Sequence, residues 1–267
     1  MNFYPRAKRS FGQNFLVHKP TLATIAQFVT GTGAKKGVVE LGSGTGNLTR
    51  ELASRIKRVL TVELDQELIE WLKKEERLPD NVELIQQDML ELDFYQLSER
   101  LGEPVTVVGN LPYNISSQVL FRIVDQADWI SSALLMFQKE VACRISARPG
   151  SRDYGILSVI SQYRADVQRV MDIPPTLFSP RPKVVSSVVS FSFRPSPFEA
   201  KTLDKRFLRV VKAAFSQRRK KLVNTLASGL GLSREVVTKS LENAGIKPDI
   251  RAENVAVSGF VSLAKVI

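Results

Sequence analysis

Four short stretches of this chain carry residues whose types and spacing could do chemistry. The first is Glu40-Leu41-Gly42-Ser43-Gly44-Thr45-Gly46-Asn47-Leu48. Its alternating glycines permit a tight turn and close backbone approach to a ligand. The second is Val62-Glu63-Leu64-Asp65. A carboxylate placed about twenty residues past such a loop can accept both hydroxyls of a ribose. The third, Gln87-Asp88-Met89, offers an acceptor for the exocyclic amine of an adenine, with a thioether against the ring face. NAD and S-adenosylmethionine are both served by these three. The compact G-x-G-x-G spacing, in place of G-x-G-x-x-G, favours the methyl donor. Each stretch also has a plainer reading, a tight turn for the glycines and a helix cap for Asp88. Their weight comes from recurring at three successive strand ends.

The fourth stretch is Asn110-Leu111-Pro112-Tyr113. An amino group on a base ring is a poor nucleophile, because its lone pair is delocalised into the ring. A catalyst must accept hydrogen bonds from its N–H groups and hold it facing an electrophilic carbon. The Asn110 side-chain oxygen and the Leu111 carbonyl are uncharged acceptors. Pro112 stiffens the turn and removes a competing N–H. Tyr113 presents a π face on which a base can stack. On a generic sheet this would read as a proline turn with a packed tyrosine. After a glycine loop, Glu63 and Asp88, it reads as a site for an amine.

The elements that must position these residues are legible as apolar runs. Val38–Leu41, Val59–Leu64, Val82–Ile85, Val105–Val108, Ala133–Phe137 and Val184–Phe193 read as strands, and Gln162–Ile173 has room for one more. Helical crossovers fit Leu48–Arg55, Gln66–Glu76, Ser116–Val124 and Glu140–Ala147. Strands alternating with helices imply a parallel sheet covered on both faces. The alternation in Ser186–Phe193 suits a late antiparallel strand. The stretch Arg194-Pro195-Ser196-Pro197 reads as a linker. Beyond it Phe207, Val211, Phe215, Leu222 and Leu226 keep helical spacing, stopped by Gly229 and Gly231. Ser233 can cap the next helix, Gly245 can end it, and Phe260–Val266 forms a last one. The expected organisation is α/β over 1–193, a linker over 194–200 and a small helical domain over 201–267.

Composition narrows the function. The 267 residues include one cysteine, Cys143, and one histidine, His18. A disulfide scaffold, a Cys/His zinc site and a Cys–His nucleophile pair are excluded. No metal is expected. No apolar run reaches the ~18 residues of a membrane span. The basic N-terminal residues Arg6, Lys8 and Arg9 are not followed by an apolar stretch, so no secretory signal is read. The expected compartment is the cytoplasm. Lysine and arginine number 38 against 27 acids, a net charge of +11, which points to a polyanionic partner. Basic residues gather at Arg6, Lys8 and Arg9, along Lys201, Lys205, Arg206, Arg209 and Lys212, and at Arg218, Arg219, Lys220 and Lys221. Packing is the expected role of Cys143, Trp71 and Trp129.

The motif Asn110-Leu-Pro-Tyr-Asn-Ile-Ser116 resembles that of the ribosomal RNA adenine dimethyltransferases, the kasugamycin-sensitivity enzymes of bacteria. Other stretches similar to that family occur in order. They are Ser10-Phe-Gly-Gln-Asn-Phe-Leu16, Gln138-Lys-Glu-Val141, Phe178-Ser-Pro-Arg-Pro-Lys-Val184, Phe215-Ser-Gln-Arg-Arg-Lys220 and Arg251-Ala-Glu-Asn254. The resemblance covers essentially the whole chain. It implies a Rossmann-like S-adenosylmethionine-dependent methyltransferase sheet with a small C-terminal α-helical, RNA-binding domain. The implied reaction is N6,N6-dimethylation of two adjacent adenosines in the 3′-terminal hairpin of small-subunit (16S) rRNA, during subunit biogenesis. It implies that Gln13, Asn14, Leu16, Gly42, Gly44, Glu63, Asp88, Met89 and Asn110 bind the donor. Asn110, Leu111, Pro112 and Tyr113 would hold the target adenine, with Phe178 as its second stacking face. Arg6, Lys8, Arg9 and Arg218–Lys221 would grip RNA. The implied partner is the small ribosomal subunit, met by a monomer without a membrane. One departure is Ser43, where many bacterial relatives have proline, and the backbone role of the loop survives it. Three rivals are weighed. A large-subunit methyltransferase of the macrolide-resistance type usually carries Asn-Ile-Pro-Tyr. A non-catalytic assembly or transcription factor on the same fold is disfavoured by the intact motifs. An NAD-linked oxidoreductase lacks a proton-transfer group with a suitable resting pKa.

Overall fold

The computed structural model describes residues 5–34, 36–74 and 78–267; of these, the side chain of Arg9 is not described. In chain order the elements are β1 (Phe15–Leu16), α1 (Lys19–Gly31), β2 (Val38–Leu41), α2 (Asn47–Ala53), β3 (Val59–Glu63), α3 (Gln66–Lys74), β4 (Val82–Gln86), α4 (Phe94–Leu101), β5 (Val105–Asn110), α5 (Ser116–Asp125) and β6 (Ile130–Gln138). They continue as α6 (Lys139–Ile145), α7 (Ile156–Gln162), β7 (Ala165–Ile173), β8 (Phe178–Ser179), β9 (Ser186–Phe193), α8 (Lys201–Ala214), α9 (Leu222–Leu230), α10 (Arg234–Asn243) and α11 (Val257–Val266). The crossover expected to end at Glu76 is helical to Lys74, and its last residues lie outside the described set.

The main sheet has the order β4-β3-β2-β5-β6-β9-β7. Strands β4, β3, β2, β5 and β6 pair in parallel, and β9 runs antiparallel to β6. Successive strands β2, β3 and β4 step outward, and the chain then returns to lay β5 on the other side of β2. The order therefore reverses between β2 and β5. That is where an open α/β sheet leaves a crevice at its carboxyl edge. The strands read as continuous apolar runs because helices cover both faces. Val38, Val39, Leu41, Val59, Leu60 and Val107 are fully buried. A second core layer joins α1 (Leu22, Ile25, Val29) to Val38, Val108 and Met136.

The chain divides into two compact units, Met1–Ala142 with Gln168–Phe193, and Cys143–Val167 with Arg194–Ile267. The boundary expected after residue 193 coincides with one crossing between them. The segment Cys143–Val167, expected in the first domain, packs in the second unit instead. Tyr154 donates its hydroxyl to the Val255 carbonyl at 3.0 Å, and Tyr163 stacks on Phe207 at 4.4 Å between centroids. These rings find their partners on the helical tail, and no local pattern announces that.

The helix expected to run from Phe207 to Leu226 is two, α8 and α9. The intervening turn is drawn out by tertiary bonds. Leu222 N–H donates to the Ile250 carbonyl at 2.7 Å, and Arg218 pairs with Glu253 at 3.2 Å. Ser233 caps α10 by accepting from Val236 N–H. Gly231 ends α9 with φ at 71°.

Candidate active site

The four chemical stretches meet at one place. A cavity of about 280 Å³ at the carboxyl edge of the first unit is lined by Gln13, Asn14 and Leu16, by Gly42 and Gly44, and by Glu63, Asp88 and Met89. Asn110, Leu111, Pro112 and Tyr113 complete its wall. Residues from five chain segments thus share one hollow because each ends a strand, or precedes one, on the same side of the sheet.

The glycine loop is built on hydrogen bonds to the next strand. Gly42 N–H donates to the Val62 carbonyl at 2.8 Å. Gly44 has φ at 52°, and a Cβ there would sit 2.9 Å from the Phe15 ring. Only glycine satisfies both conditions without moving the ring. Glu63, 9% exposed, closes the loop from the other side. Its Oε2 accepts from Gly44 N–H at 2.9 Å, and its Oε1 accepts from Leu64 and Asp65 N–H, both at 3.0 Å. Asp88 accepts from Leu90 N–H at 2.9 Å, so it is a cap and a wall residue at once.

The N-terminal stretch is clamped over this edge. Lys8 Nζ lies 2.7 Å from Asp65 and 3.0 Å from Glu67. Gln13 Nε2 donates to Asp65 at 2.9 Å, while its Oε1 accepts from Lys8 N–H at 2.7 Å. Burial pushes the Asp65 carboxyl up, but the hydrogen bonds from Lys8 and Gln13 outweigh it and hold the group below its usual range. Lys8, assigned to RNA, is therefore engaged with acids of its own chain. Asn110 is set by the same segment. Its Nδ2 donates to the Asn14 backbone carbonyl at 2.7 Å. A carbonyl can only accept, so the NH₂ must point there and Oδ1 is the atom left for the cavity.

Phe178 does not line the cavity. It is 4% exposed and belongs to the apolar cluster with Leu16, Leu22 and Met136. The antiparallel pairing of β8 with β1, Leu16 opposite Phe178, seats the ring in the core beside the cavity wall formed by Leu16. The aromatic rings that do line the cavity with Tyr113 are Phe11 and Phe15. The other assigned RNA residues differ in their surroundings. Arg6, Arg219, Lys220 and Lys221 are exposed, while Arg218 is tied to Glu253 and to the Arg152 carbonyl. Arg9, also assigned to RNA, has no described side chain.

Glu40 opens the glycine stretch, but the sequence reading gave it no role of its own. It is 1% exposed in the middle of β2 and lines the cavity. Its Oε2 accepts from Thr49 at 2.6 Å and Thr61 at 2.7 Å. Burial raises its carboxyl to about 7, with the two hydroxyls pulling down, Glu63 pushing up and Arg50 pulling down. No local signal marks it, since Thr61 arrives from the neighbouring strand. A carboxyl raised on folding stabilises the protein while it is protonated. That contribution is whole below the ordinary carboxyl range and declines as pH rises to about 7. Glu40→Gln should therefore come nearest the parent in thermal melting at about pH 4, below the ordinary carboxyl value, and exceed it at about pH 8 and above. A melting difference that does not change with pH would count against this assignment.

Among the described residues no group of three or more His, Cys, Asp or Glu side chains could hold a metal ion, and no helix is long and apolar enough to cross a membrane.

Comparison with known proteins places this arrangement. The ribosomal RNA small subunit methyltransferase A of Geobacter metallireducens is 44% identical over 262 residues, covering 97% of this chain and 95% of that protein. A dimethyladenosine transferase from Plasmodium falciparum superimposes with a TM-score of 0.76 at 24% identity, over 93% of this chain and 96% of that one. The 23S rRNA methyltransferase ErmE superimposes with a TM-score of 0.69 at 26% identity, over 94% and 98%. The two superpositions fit the largely parallel sheet described above. With the family described as ribosomal RNA adenine dimethylase matching residues 5–267, the chain belongs to that family.

Proposed function

We propose that this protein transfers methyl groups from S-adenosylmethionine to the N6 nitrogens of two adjacent adenosines in small-subunit rRNA. The observation that carries this is the Asn110 amide, turned by the Asn14 carbonyl so that its oxygen serves the cavity shared by the glycine loop, Glu63 and Asp88. The cavity fits the donor by its chemistry. Carboxylates Glu63 and Asp88 suit a ribose and an adenine amine. A Cβ at Gly42 would come within 3.7 Å of Met89 Cε, so the glycine loop and the thioether form adjoining parts of one cavity wall. Bound there, the donor supplies an electrophilic methyl carbon.

The residues of the chain do the rest. Asn110 Oδ1 and the Leu111 carbonyl accept the N–H groups of the target amine and localise its lone pair toward the methyl. Tyr113 stacks on the base, which must leave its own stack to arrive. A single aromatic face offsets ~1–3 kcal/mol of that cost. As the new C–N bond forms, the C–S bond breaks, its electrons stay on sulfur, and one amine proton passes to water. No strong base is required, because the nitrogen turns acidic once it is alkylated. Both acceptors are neutral and can each lose one N–H partner, which suits a second round on the same nitrogen.

The fold does not separate the small-subunit reaction from its large-subunit rival, since ErmE shares it. The 44% relative and Leu111 favour the small subunit. We further assign RNA contact to exposed Arg219, Lys220 and Lys221, and cytoplasmic action as a monomer. The test is to incubate the protein with labelled S-adenosylmethionine and unmethylated small or large subunits, then identify the nucleosides by mass spectrometry. N6,N6-dimethyladenosine from small subunits alone is expected. Product from large subunits would move the protein to the rival reaction, and no product with binding retained would favour an assembly factor. In the same assay Arg219→Glu with Lys220→Glu should raise KM for the subunit and flatten its salt dependence. Unaltered salt dependence would count against the RNA assignment.

A further inference from the structure

Tyr113 is held at two ends. Its backbone carbonyl accepts from Ser116 Oγ at 3.1 Å, at the start of α5. Its hydroxyl lies 2.6 Å from Ser186 Oγ, on the first residue of β9. Ser186 is fully buried, and burial raises the Tyr113 phenol above its usual range. The two residues are far apart in sequence but close in register. Asn110 on β5 lies opposite Met136 on β6, and Gln138 on β6 lies opposite Ser186 on β9. The tyrosine side chain therefore reaches past the end of β6 to the antiparallel strand.

The start of β9 is itself fixed. Ser187 faces the other way, as strand alternation requires. Its Oγ donates to Asp172 at 2.5 Å, and Lys139 Nζ lies 2.7 Å from the same carboxylate. Lys139 N–H donates to the Val185 carbonyl at 2.9 Å. Ser186 thus offers a hydroxyl whose backbone cannot easily shift.

A phenol ring anchored only by its backbone can rock about its side-chain torsions. An anchor at the hydroxyl end fixes the plane of the ring, and so the plane of anything stacked on it. We propose that Ser186 is a positioning residue, which sets the Tyr113 ring so that the stacked adenine presents N6 to the methyl. This rests on the function proposed above. It also predicts an asymmetry between the two transfers. The unmodified amine has two N–H groups for Asn110 and Leu111 to orient. After one methylation it has one, so its placement leans harder on the stacking ring. Loss of the Ser186 anchor should therefore damage the second transfer more than the first.

The test uses the full chain on unmethylated small subunits, with Ser186→Ala, Ser186→Thr, Tyr113→Phe and the double variant. Ser186→Ala should lower kcat about tenfold while KM and donor affinity change little, the pattern of a misplaced reacting group. N6-monomethyladenosine should accumulate where the parent yields the dimethyl product. Ser186→Thr, which keeps the hydroxyl, should restore dimethylation. Tyr113→Phe removes the same bond from the other end and should reproduce the defect, and the double variant should be no worse than either. Should Ser186→Ala fold poorly, Tyr113→Phe decides, since it leaves β9 intact. A parent-like product ratio and kcat in both single variants, with Asn110→Ala inactive, would overturn the proposal and leave the reaction standing. A parent that methylates no adenosine would instead overturn the reading on which it rests.

Discussion

Asn110→Ala should lower methyl transfer by at least ~10²–10³-fold, the usual scale for deleting one preorganised hydrogen-bonding group at a reacting centre. Binding to the small subunit should stay close to that of the parent protein. The amide is an acceptor aimed at the target amine, and its orientation comes from the 2.7 Å bond to the Asn14 carbonyl. Alanine removes both. Asn110→Asp separates them. It keeps an acceptor oxygen of the same shape, but it cannot donate to Asn14, and two oxygens would face each other across that contact. It should be nearly as inactive as alanine, because an acceptor in the wrong place does not localise the lone pair. Equilibrium binding of the small subunit, measured beside single-turnover methylation, checks both variants. An alanine variant within about tenfold of the parent rate would remove Asn110 from the mechanism.

Glu63→Ala should weaken donor binding by ~1.5–3 kcal/mol, the range for lost hydrogen bonds to a charged group. The structure adds a second consequence. Glu63 holds the glycine loop through Gly44 N–H and the strand end through Leu64 and Asp65 N–H. Its removal leaves those donors without their acceptor, so the variant should also melt at a lower temperature. Glu63→Gln keeps one acceptor oxygen and should fall between the two in both measurements. At saturating donor the rate should recover most of its parent value, since Glu63 does not touch the target amine. Calorimetric titration with donor, paired with a melting curve, reads both effects. Unchanged affinity in the alanine variant would move the ribose contact elsewhere.

The parallel sheet was readable because its strands are short, apolar and separated by helical stretches. The glycine loop, Glu63, Asp88 and the Asn110 turn were readable because each lies within a few residues of a strand end. Even so, Lys19–Gly31 attracted no helical reading, although Leu22, Ile25, Ala26 and Val29 recur on one buried face. Burial of Glu40 was not readable, because both hydroxyls that hold it depend on how strands and helix pack. Phe178 shows the same limit in reverse. Its motif assigned it to the substrate, but a two-residue strand pair with Leu16 claims its ring for the core.

What the sequence determined by itself is which residues could reach a ligand, since strand ends and glycine turns are local and the sheet edge collects them. It also excluded a disulfide scaffold, a Cys/His zinc site and a Cys–His nucleophile pair, through a single histidine and a single cysteine. Which way each side chain turns was decided only by tertiary structure. Asn110 is oriented by a carbonyl that lies 96 positions away, Tyr113 by a hydroxyl 73 positions away, and Lys8 is neutralised by an acid 57 positions away. Those bonds form only when the sheet has brought distant segments together, so no local pattern encodes them.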